Sequence, residues 1–456
     1  MKIYEDAAAS HLDTVHCGLY FTGQNLCYLL IYLYMNTYFT DIGIPVLAVA
    51  GIAVLARLFD ACTGPVICAR LARLRENPRA VRWVRLTVLL VPVCAIALFS
   101  IPASLSPALK ILLAAAGYLL WDTAYTLCNA PLFGMEGAVT EIRSGHTVLS
   151  PVGRFCSMFS MLALVVTVPL FRTARGGWGG MAAVLSLAGL VSMLPRTVLP
   201  GSRDHITRAS RFVSLHQILH YLRGNRYLSL FYLAFLLTGV LNVSSCWGLY
   251  MSRYCLGDES ILALTGLLTM IPGMILGAFA PVLLRRADKF RVYFGAVLVS
   301  VTMILVRYLA GCHSLPVYLI TTLLASIPMG FTTSVLLSFT HDCAEYGRYT
   351  GQVSDPALPF ATQMFFLKLQ SGLVIALGCI MLAVMGFVPG EGAVQAPEFA
   401  HQLWTMGNLL PAAGMIAGLL VLHEYDLRDH DVALMQMCND GLISREEARR
   451  QLHVLS

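Results

Sequence analysis

The sequence predicts an all-α integral membrane protein whose twelve transmembrane helices form two six-helix halves. Of its 456 residues, 57% are hydrophobic and only 12% are charged, whereas ordinary soluble domains are about 25% charged. Apolar runs long enough to cross about 30 Å of hydrocarbon recur along the whole chain. Arginine-rich stretches separate these runs, and all of them fall on one side of the predicted bundle.

Charge and cysteine usage exclude several other classes. The net charge of +6 comes from the loops between membrane helices, so it does not indicate a nucleic-acid-binding protein. The 13 cysteines are scattered singly and lack the paired spacing of metal ligands, so we predict neither a metal site nor a cofactor. Residues 1–10 carry Glu5 and Asp6 and lack a basic segment followed by a cleavage site, so we expect no signal peptide.

In the first half, turn residues or charged residues stand at the ends of each apolar run, as expected for helices that end at the membrane surface. The run at residues 45–68 is followed by a basic stretch, which the positive-inside rule places in the cytoplasm. The predicted helices are one at 16–39, two at 45–68, three at 86–104, four at 107–131, five from 154 and six at 178–194.

The second half repeats this plan after the longest polar stretch of the chain. That stretch, residues 195–226, carries six arginines against one aspartate, so we predict a cytoplasmic linker between the halves. The predicted helices are seven at 227–254, eight at 262–284, nine at 292–310, ten at 315–339, eleven at 357–387 and twelve at 403–422.

Twelve spans place both termini in the cytoplasm, and we expect a multi-pass protein of the cell (inner) membrane. After residue 422 the chain is polar. Ser444 and Glu447 have the spacing of a capping box, which predicts a short helix in the tail. The predicted domains are an N-terminal half at 1–194, the linker at 195–226, a C-terminal half at 227–422 and a cytoplasmic tail at 423–456.

Helix two contains an arginine and a carboxylate three residues apart, Arg57 and Asp60, on one helical face. An ionised side chain in hydrocarbon costs at least about 2.5–3.5 kcal/mol, so it faces a protein interior or a water-filled path. Two interpretations are open: a structural ion pair that holds two helices together, or a charged coupling site in a transporter. Asp122 on predicted helix four is a further acid, and it either pairs with Lys110 or Arg57 or binds a cation.

Short strings along nearly the whole chain carry a resemblance to a known family. The strings are GQNL at 23–26, YFTD at 38–41, ARLFDA at 56–61, YTLCNAP at 125–131, NRYL at 225–228, YCLGD at 254–258 and DCAEYG at 342–347. In this order they resemble the glycoside–pentoside–hexuronide:cation symporters, the melibiose permease family of the major facilitator superfamily. The resemblance implies the major facilitator fold, with a solute site near the membrane midplane.

The resemblance also implies roles for individual residues, with no catalytic residue among them. The expected cation-coupling residues are Asp60, Thr126 and Asn129. The expected substrate-binding residues are Asn25, Asn129, Arg154, Lys368, Trp121 and Tyr125. The expected gating or structural residues are Arg57, Asp342, Glu345 and Tyr346. Asn amides and an Arg fork supply the paired donors and acceptors that sugar hydroxyls need.

Several positions depart from the family pattern. Gly64 stands where a second helix-two carboxylate is usual, so Asp60 binds either Na⁺ weakly or simply a proton. Cys68 and Ala72 replace the glycine and aspartate of the cytoplasmic gating motif, and Arg348 stands where an acid is common. These changes indicate altered coupling, altered gating or a divergent solute.

We therefore predict a secondary active transporter that symports a sugar or glycoside with H⁺ or Na⁺, as a monomer in the lipid bilayer. The alternative is a divergent relative that moves a non-sugar solute or acts as an uncoupled facilitator. An integral-membrane enzyme would need a catalytic motif such as HExxH or a phosphate-cradling loop, and the sequence contains neither. A membrane sensor would need a sizeable soluble output domain, whereas the tail after residue 422 is short.

Overall fold

The structure, a computed structural model, describes residues 2–74, 78–142, 149–173, 177–198, 215–284, 288–312, 314–352 and 357–452. In these ranges the chain forms helices and no strand, in agreement with the predicted fold class. The helices are α1 Lys2–Asp41, α2 Val46–Leu74, α3 Pro78–Leu98, α4 Pro107–Ile142, α5 Leu149–Thr173, α6 Trp178–Val198, α7 Leu215–Gly224, α8 Arg226–Val240, α9 Ser244–Tyr254, α10 Ile261–Leu284, α11 Lys289–Ala310, α12 Leu315–Tyr349, α13 Ala357–Val384, α14 Phe399–Leu422, α15 Asp429–Asn439 and α16 Arg445–Gln451.

Many of these helices are long and apolar enough to cross a bilayer, which identifies a multi-pass membrane protein. Within the described residues seven stretches qualify: Pro107–Cys128, Phe155–Arg172, Trp178–Pro195, Arg226–Tyr254, Lys289–Ala310, Ala361–Val384 and Phe399–Leu422. Three shorter apolar stretches accompany them, at Val88–Leu98, Ile261–Pro272 and Leu315–Ser326. The count of twelve membrane spans stays a prediction.

Helices α1, α3, α4 and α12 extend beyond the bounds predicted for helices one, three, four and ten, and two segments differ in kind from the predicted elements. The predicted seventh helix is interrupted between α8 and α9, where the Ser244 hydroxyl donates to Asn242 Oδ1 (2.8 Å). Such a side chain-to-side chain bond, together with Gly239 one turn earlier, stabilises a local break that hydropathy does not reveal. The second difference is α7, which lies in the predicted linker; its residues Ile218 and Tyr221 are buried, so it is an amphipathic helix.

The described chain divides into two compact units. Unit 1 comprises Met1–Phe212, Gly248–Gly266 and Gly378–Phe399, so short segments from late in the chain fold with the first six predicted helices. In unit 1, α1 packs closely on α5 and α6. Gly23 and Gly189 lie where these helices meet, and a side chain on Gly23 would collide with the Gly189 carbonyl. Small residues of this kind allow close helix packing in membranes.

Unit 2 comprises Val213–Trp247, Leu267–Leu377 and Ala400–Ser456 and includes the tail. Met435 of α15, Ala448 of α16 and Leu452 after it join a buried cluster that also contains Tyr425 and Phe339. Ser444 precedes α16, and its side chain accepts a hydrogen bond from the Glu447 amide (3.2 Å), the geometry that the capping-box spacing predicts. The tail is thus part of the core of unit 2.

Asn225 is the N-cap of α8 and is fully buried. Its Oδ1 accepts from the Leu228 amide (3.0 Å) and its Nδ2 donates to the Cys343 carbonyl (2.8 Å). We expect Asn225→Ala to lower the unfolding temperature in detergent. The cap contributes about 1 kcal/mol. Loss of the hydrogen bond to the Cys343 carbonyl, which also accepts from the Tyr221 hydroxyl (3.4 Å), costs about 1 kcal/mol more. Ser444→Ala, which removes a cap alone, is the control; an equal effect of the two variants would contradict a role for the Cys343 contact.

Burial in the tail-covered cluster raises the pKa of the Cys343 thiol to about 12. We therefore expect Cys343 to resist maleimide at pH 8, because only about one thiol in 10⁴ is then ionised. Cys438, which is half-buried on α15, is the reference thiol. Residue-specific mass spectrometry before and after denaturation measures both rates. Equal labelling of the two thiols in the folded protein would show that the tail helices open readily.

Candidate functional site

The candidate site is a polar and aromatic cluster in unit 1, formed by α1, α2 and α4. The carboxylate of Asp60 on α2 is buried, with 6% of the residue exposed. The Thr126 hydroxyl on α4 donates to Asp60 Oδ1 at 3.4 Å, which is a long hydrogen bond. The structure therefore brings together two of the three residues expected to couple a cation.

Arg57, one turn before Asp60, makes its contacts with α4. Its Nη2 donates to the Tyr118 hydroxyl (2.8 Å), and Asp122 is the carboxylate that acts electrostatically on both side chains. Arg57 Nε is buried without a hydrogen-bond acceptor among the described residues. Asp122 on α4 is thus a counter-charge that acts on Arg57, which is one of the alternatives that the sequence analysis gave for this acid. Lys110, the other cation considered for Asp122, donates instead to the Ile42 carbonyl (2.7 Å).

Aromatic rings form one side of this cluster, which we call the aromatic wall: Tyr28, Tyr118, Trp121 and Tyr125. Tyr125 stacks on Tyr28 (5.1 Å between ring centroids) and on Trp121 (5.3 Å), and Trp121 stacks on Tyr118 (6.1 Å). Trp121 is 1% exposed, yet its Nε1 has no acceptor among the described residues. The wall is therefore a stack of rings in which Tyr118 and Trp121 are buried and Tyr28 and Tyr125 are partly exposed, and it contains or contacts two donors without acceptors among the described residues, Trp121 Nε1 and Arg57 Nε.

The other expected substrate-binding residues are placed less completely. Asn25 on α1 donates from Nδ2 to the Phe21 carbonyl (2.8 Å), so one amide proton is used within its own helix. The side chains of Asn129 and Arg154 lie outside the described part of the structure, as do those of Cys68 and Ala72. Lys368 lies on α13 in unit 2, with an exposed side chain.

The expected gating residues of the second half are in unit 2, next to the tail. Lys289 Nζ contacts both oxygens of Asp342 (2.7 and 2.8 Å) and also Asp429 (3.0 Å). Glu345 accepts from Arg348 Nη1 (3.0 Å) and from Asn439 Nδ2 (2.9 Å).

The ring of Tyr346 packs edge-on against Tyr227. Arg348, the departure from the family pattern, thus pairs with the acid one helical turn before it. Asp429 and Asn439, the tail residues in the two polar contacts, were absent from the predicted set.

The sequence analysis gave Arg57 as one possible partner of Asp122, but it did not identify Tyr28 or Tyr118. One signal was available on helix four, where Tyr118 and Asp122, and likewise Trp121 and Tyr125, stand four residues apart and so share helix faces. The sequence left open whether this face meets Arg57, because Lys110 and a cation were equally possible partners of Asp122.

Three comparisons with known proteins extend these observations. The family model described as "MFS/sugar transport protein" matches residues 18–429. The glucuronide carrier protein homolog of Escherichia coli is 22% identical, over 89% of this chain and 90% of that protein. The putative sulfoquinovose importer of the same organism is 22% identical, over 93% of this chain and 92% of the relative.

Among solved structures, the D-xylose–proton symporter superposes with a TM-score of 0.59 at 14% identity, covering 91% of this chain and 97% of that one. Identity this low shows the fold alone, and the fold is that of a major facilitator transporter. The family match covers most of the chain, including α2, α4 and the aromatic wall. The protein is therefore a multi-pass membrane transporter rather than an enzyme, and it belongs to the MFS/sugar transport protein family.

Proposed function

We propose that the protein symports a sugar or glycoside with H⁺ or Na⁺ by alternating access, and that Asp60 carries the coupling ion. The observation that carries this proposal is the buried Asp60 carboxylate beside Thr126, in the same unit as the aromatic wall. A charged carboxylate in an apolar helix is poorly solvated, so its free energy falls strongly when it binds a proton or a cation that neutralises the charge. Binding of the ion is thereby linked to the helices that hold the solute.

The aromatic wall supports the choice of solute. A pyranose ring has apolar faces that pack against flat aromatic surfaces, and its hydroxyl and ring oxygens accept hydrogen bonds. Trp121 Nε1 and Arg57 Nε are buried donors that lack acceptors among the described residues. We propose that solute oxygens occupy these donors, with Asn25, Asn129, Arg154 and Lys368 as further contacts.

The alternative is a transporter of a non-sugar solute, or a facilitator without coupling. Gly64 favours this alternative, because it leaves a single carboxylate on α2. The topology that we propose is the same for the symporter and for these alternatives: a monomer in the inner membrane, with both termini in the cytoplasm.

The deciding experiment is uptake of labelled solutes into proteoliposomes under an imposed Na⁺ or pH gradient. The names of the relatives put glucuronides and sulfoquinovose first in the panel, followed by neutral glycosides and pentosides. Uptake of one compound driven by one gradient would identify the solute and the ion together. Uptake that no gradient stimulates would favour the facilitator, and a folded protein that takes up none of these compounds would overturn the sugar assignment.

A further inference from the structure

An arginine of unit 2 lies close to the end of a membrane-spanning helix. Arg307 stands in the last turn of α11, three residues before the helix ends at Ala310, and its side chain is half-buried. Since an α-helix rises about 1.5 Å per residue, Arg307 is only about 4.5 Å along the axis from the end of this span. It therefore lies near the level of the lipid headgroups, where the hydrocarbon ends.

Neutral groups hold the guanidinium of Arg307 in one orientation. Its Nε donates to Asn408 Oδ1 on α14 (2.7 Å), and its Nη1 donates to the Thr322 hydroxyl on α12 (3.2 Å). The guanidinium carbon lies 5.7 Å from the centre of the Tyr318 ring, which is a cation–π distance. Asn408 is itself oriented, because its Nδ2 donates to the Trp404 carbonyl (2.7 Å). Buried residues of α12 and α14 thus position this side chain of α11.

No carboxylate in the described part of the chain neutralises the charge of Arg307. There its two hydrogen bonds go to neutral oxygens, and it forms no ion pair. By contrast, Arg172 and Arg253 in unit 1 pair directly with acids. A guanidinium has five N–H groups, so three of those on Arg307 lack an acceptor among the described residues. A cation in surroundings of low dielectric attracts an anion much more strongly than it would in water.

The aromatic residues around Arg307 are of the types that lie at a membrane–water interface. Trp404 Nε1 donates to the Tyr308 carbonyl (3.5 Å), and the ring centroids of Trp404 and Tyr318 are 5.9 Å apart. Tryptophan and tyrosine are enriched where hydrocarbon meets the headgroups, because each combines an apolar ring with a polar group. Leu309, two residues after Arg307, is 80% exposed. Arg307 thus stands between packed helices and the surrounding lipid.

The polar contacts of Arg307 are confined to this end of α11 and α14. About one turn further in, Ile304 on α11 and Ala412 on α14 belong to a buried apolar cluster that also contains Val301 and Met415. An anion finds no polar partner in such a seam, and its transfer into hydrocarbon is costly. An anion that binds Arg307 therefore comes from the headgroup layer.

We propose that Arg307, held by Asn408, Thr322 and Tyr318, binds the phosphate group of an anionic phospholipid whose acyl chains lie along the exposed apolar face of α11. A phosphodiester carries one negative charge, which one arginine neutralises, and a guanidinium can bond two of its oxygens in parallel. A lipid presents phosphate at the depth of Arg307 at high local concentration, which favours it over a dissolved anion. Binding of such a lipid requires neither a particular solute nor a coupling ion.

The test is the affinity of the purified full chain for phosphatidylglycerol. The protein is freed of lipid in an uncharged detergent, and native mass spectrometry counts bound phosphatidylglycerol as the lipid concentration is raised. We expect Arg307→Gln to raise the dissociation constant of the tightest-bound phosphatidylglycerol about tenfold or more, because the variant loses a charge-assisted bond to phosphate. The affinity for phosphatidylcholine, whose headgroup has no net charge, should change by less than about twofold. An unchanged affinity for phosphatidylglycerol would overturn the proposal.

Arg226→Gln is the matched control, because it removes the same charge at the end of another membrane span. Arg226 begins the span Arg226–Tyr254, its side chain is 67% exposed, and it lies 3.7 Å from the Glu424 carboxylate. An exposed arginine with an acidic neighbour should contribute little to binding of a single lipid, so we expect a change of less than about twofold. Equal losses of affinity in the two variants would show a response to net charge alone and would also overturn the proposal.

Arg307→Lys decides the question if Arg307→Gln does not fold. Lysine keeps the charge but lacks the planar fork of the guanidinium, so we expect affinity for phosphatidylglycerol to fall by about threefold or more. An affinity equal to that of the unmodified protein would contradict recognition by Arg307.

Thermal unfolding distinguishes a bound lipid from a free anion. Phosphatidylglycerol is expected to raise the unfolding temperature of the lipid-free protein, and to raise it less in Arg307→Gln, because a ligand that binds only the folded state stabilises it. Inorganic phosphate at the same concentrations should leave the unfolding temperature unchanged. An equal rise with inorganic phosphate would identify a site for a free anion and overturn the assignment to a lipid.

Discussion

Asp60→Asn is expected to abolish accumulation of solute against a gradient while leaving the protein folded. Asparagine has nearly the same shape as aspartate but neither takes up a proton nor carries the charge that holds Na⁺. Because Thr126 can still bond the amide oxygen, the contact between α2 and α4 survives. Uptake into proteoliposomes with and without an imposed gradient measures the loss, and exchange of solute between equal pools measures the movement that remains.

Thr126→Val is the matched control for Asp60→Asn. It removes one oxygen beside the carboxylate and retains the charge, so we expect weaker ion dependence rather than loss of accumulation. If Asp60→Asn accumulated solute as well as the unmodified protein, Asp60 would be a structural residue and the coupling ion would bind elsewhere.

Arg57→Gln is expected to destabilise the folded protein by roughly 3 kcal/mol, because Asp122 is left without its counter-charge in an apolar surrounding. Asp122 is 5% exposed and acts electrostatically on both Arg57 and Tyr118. Thermal unfolding in detergent measures the change. Solute affinity should fall as well, since the variant loses the buried Nε donor.

A second substitution identifies the partner of Arg57. We expect Arg57→Gln combined with Asp122→Asn to recover most of the lost stability, because both charges are then absent. Combining Arg57→Gln with Asp60→Asn should recover little. A larger recovery of stability with Asp60→Asn than with Asp122→Asn would instead support the Arg57–Asp60 ion pair, one of the interpretations of the sequence.

The membrane class and most helices were predictable from the sequence for a physical reason. In hydrocarbon every backbone amide and carbonyl must be satisfied within the segment, so a long apolar run is a helix wherever it occurs. Helix α11 begins three residues before its predicted start and ends at the predicted Ala310. The break before α9 was not predictable from hydropathy. It coincides with a hydrogen bond between the Ser244 hydroxyl and Asn242 Oδ1, and a hydropathy profile carries no information about such side-chain bonds.

The sequence also determined which residues are candidates for function. A charged side chain in an apolar helix is energetically costly, so it is retained where it pairs with another group or serves a function, whatever the helix packs against. Arg57, Asp60 and Asp122 were identified in this way. Only the tertiary structure decided that Arg57 meets Tyr118, 61 residues away, and that Asp41 meets Arg253, 212 residues away. Hydropathy determines that a segment is helical and how long the helix is. The residues that a side chain contacts depend on how each helix is rotated and packed. Rotation and packing are determined by the shapes of side chains on helices that are distant in sequence.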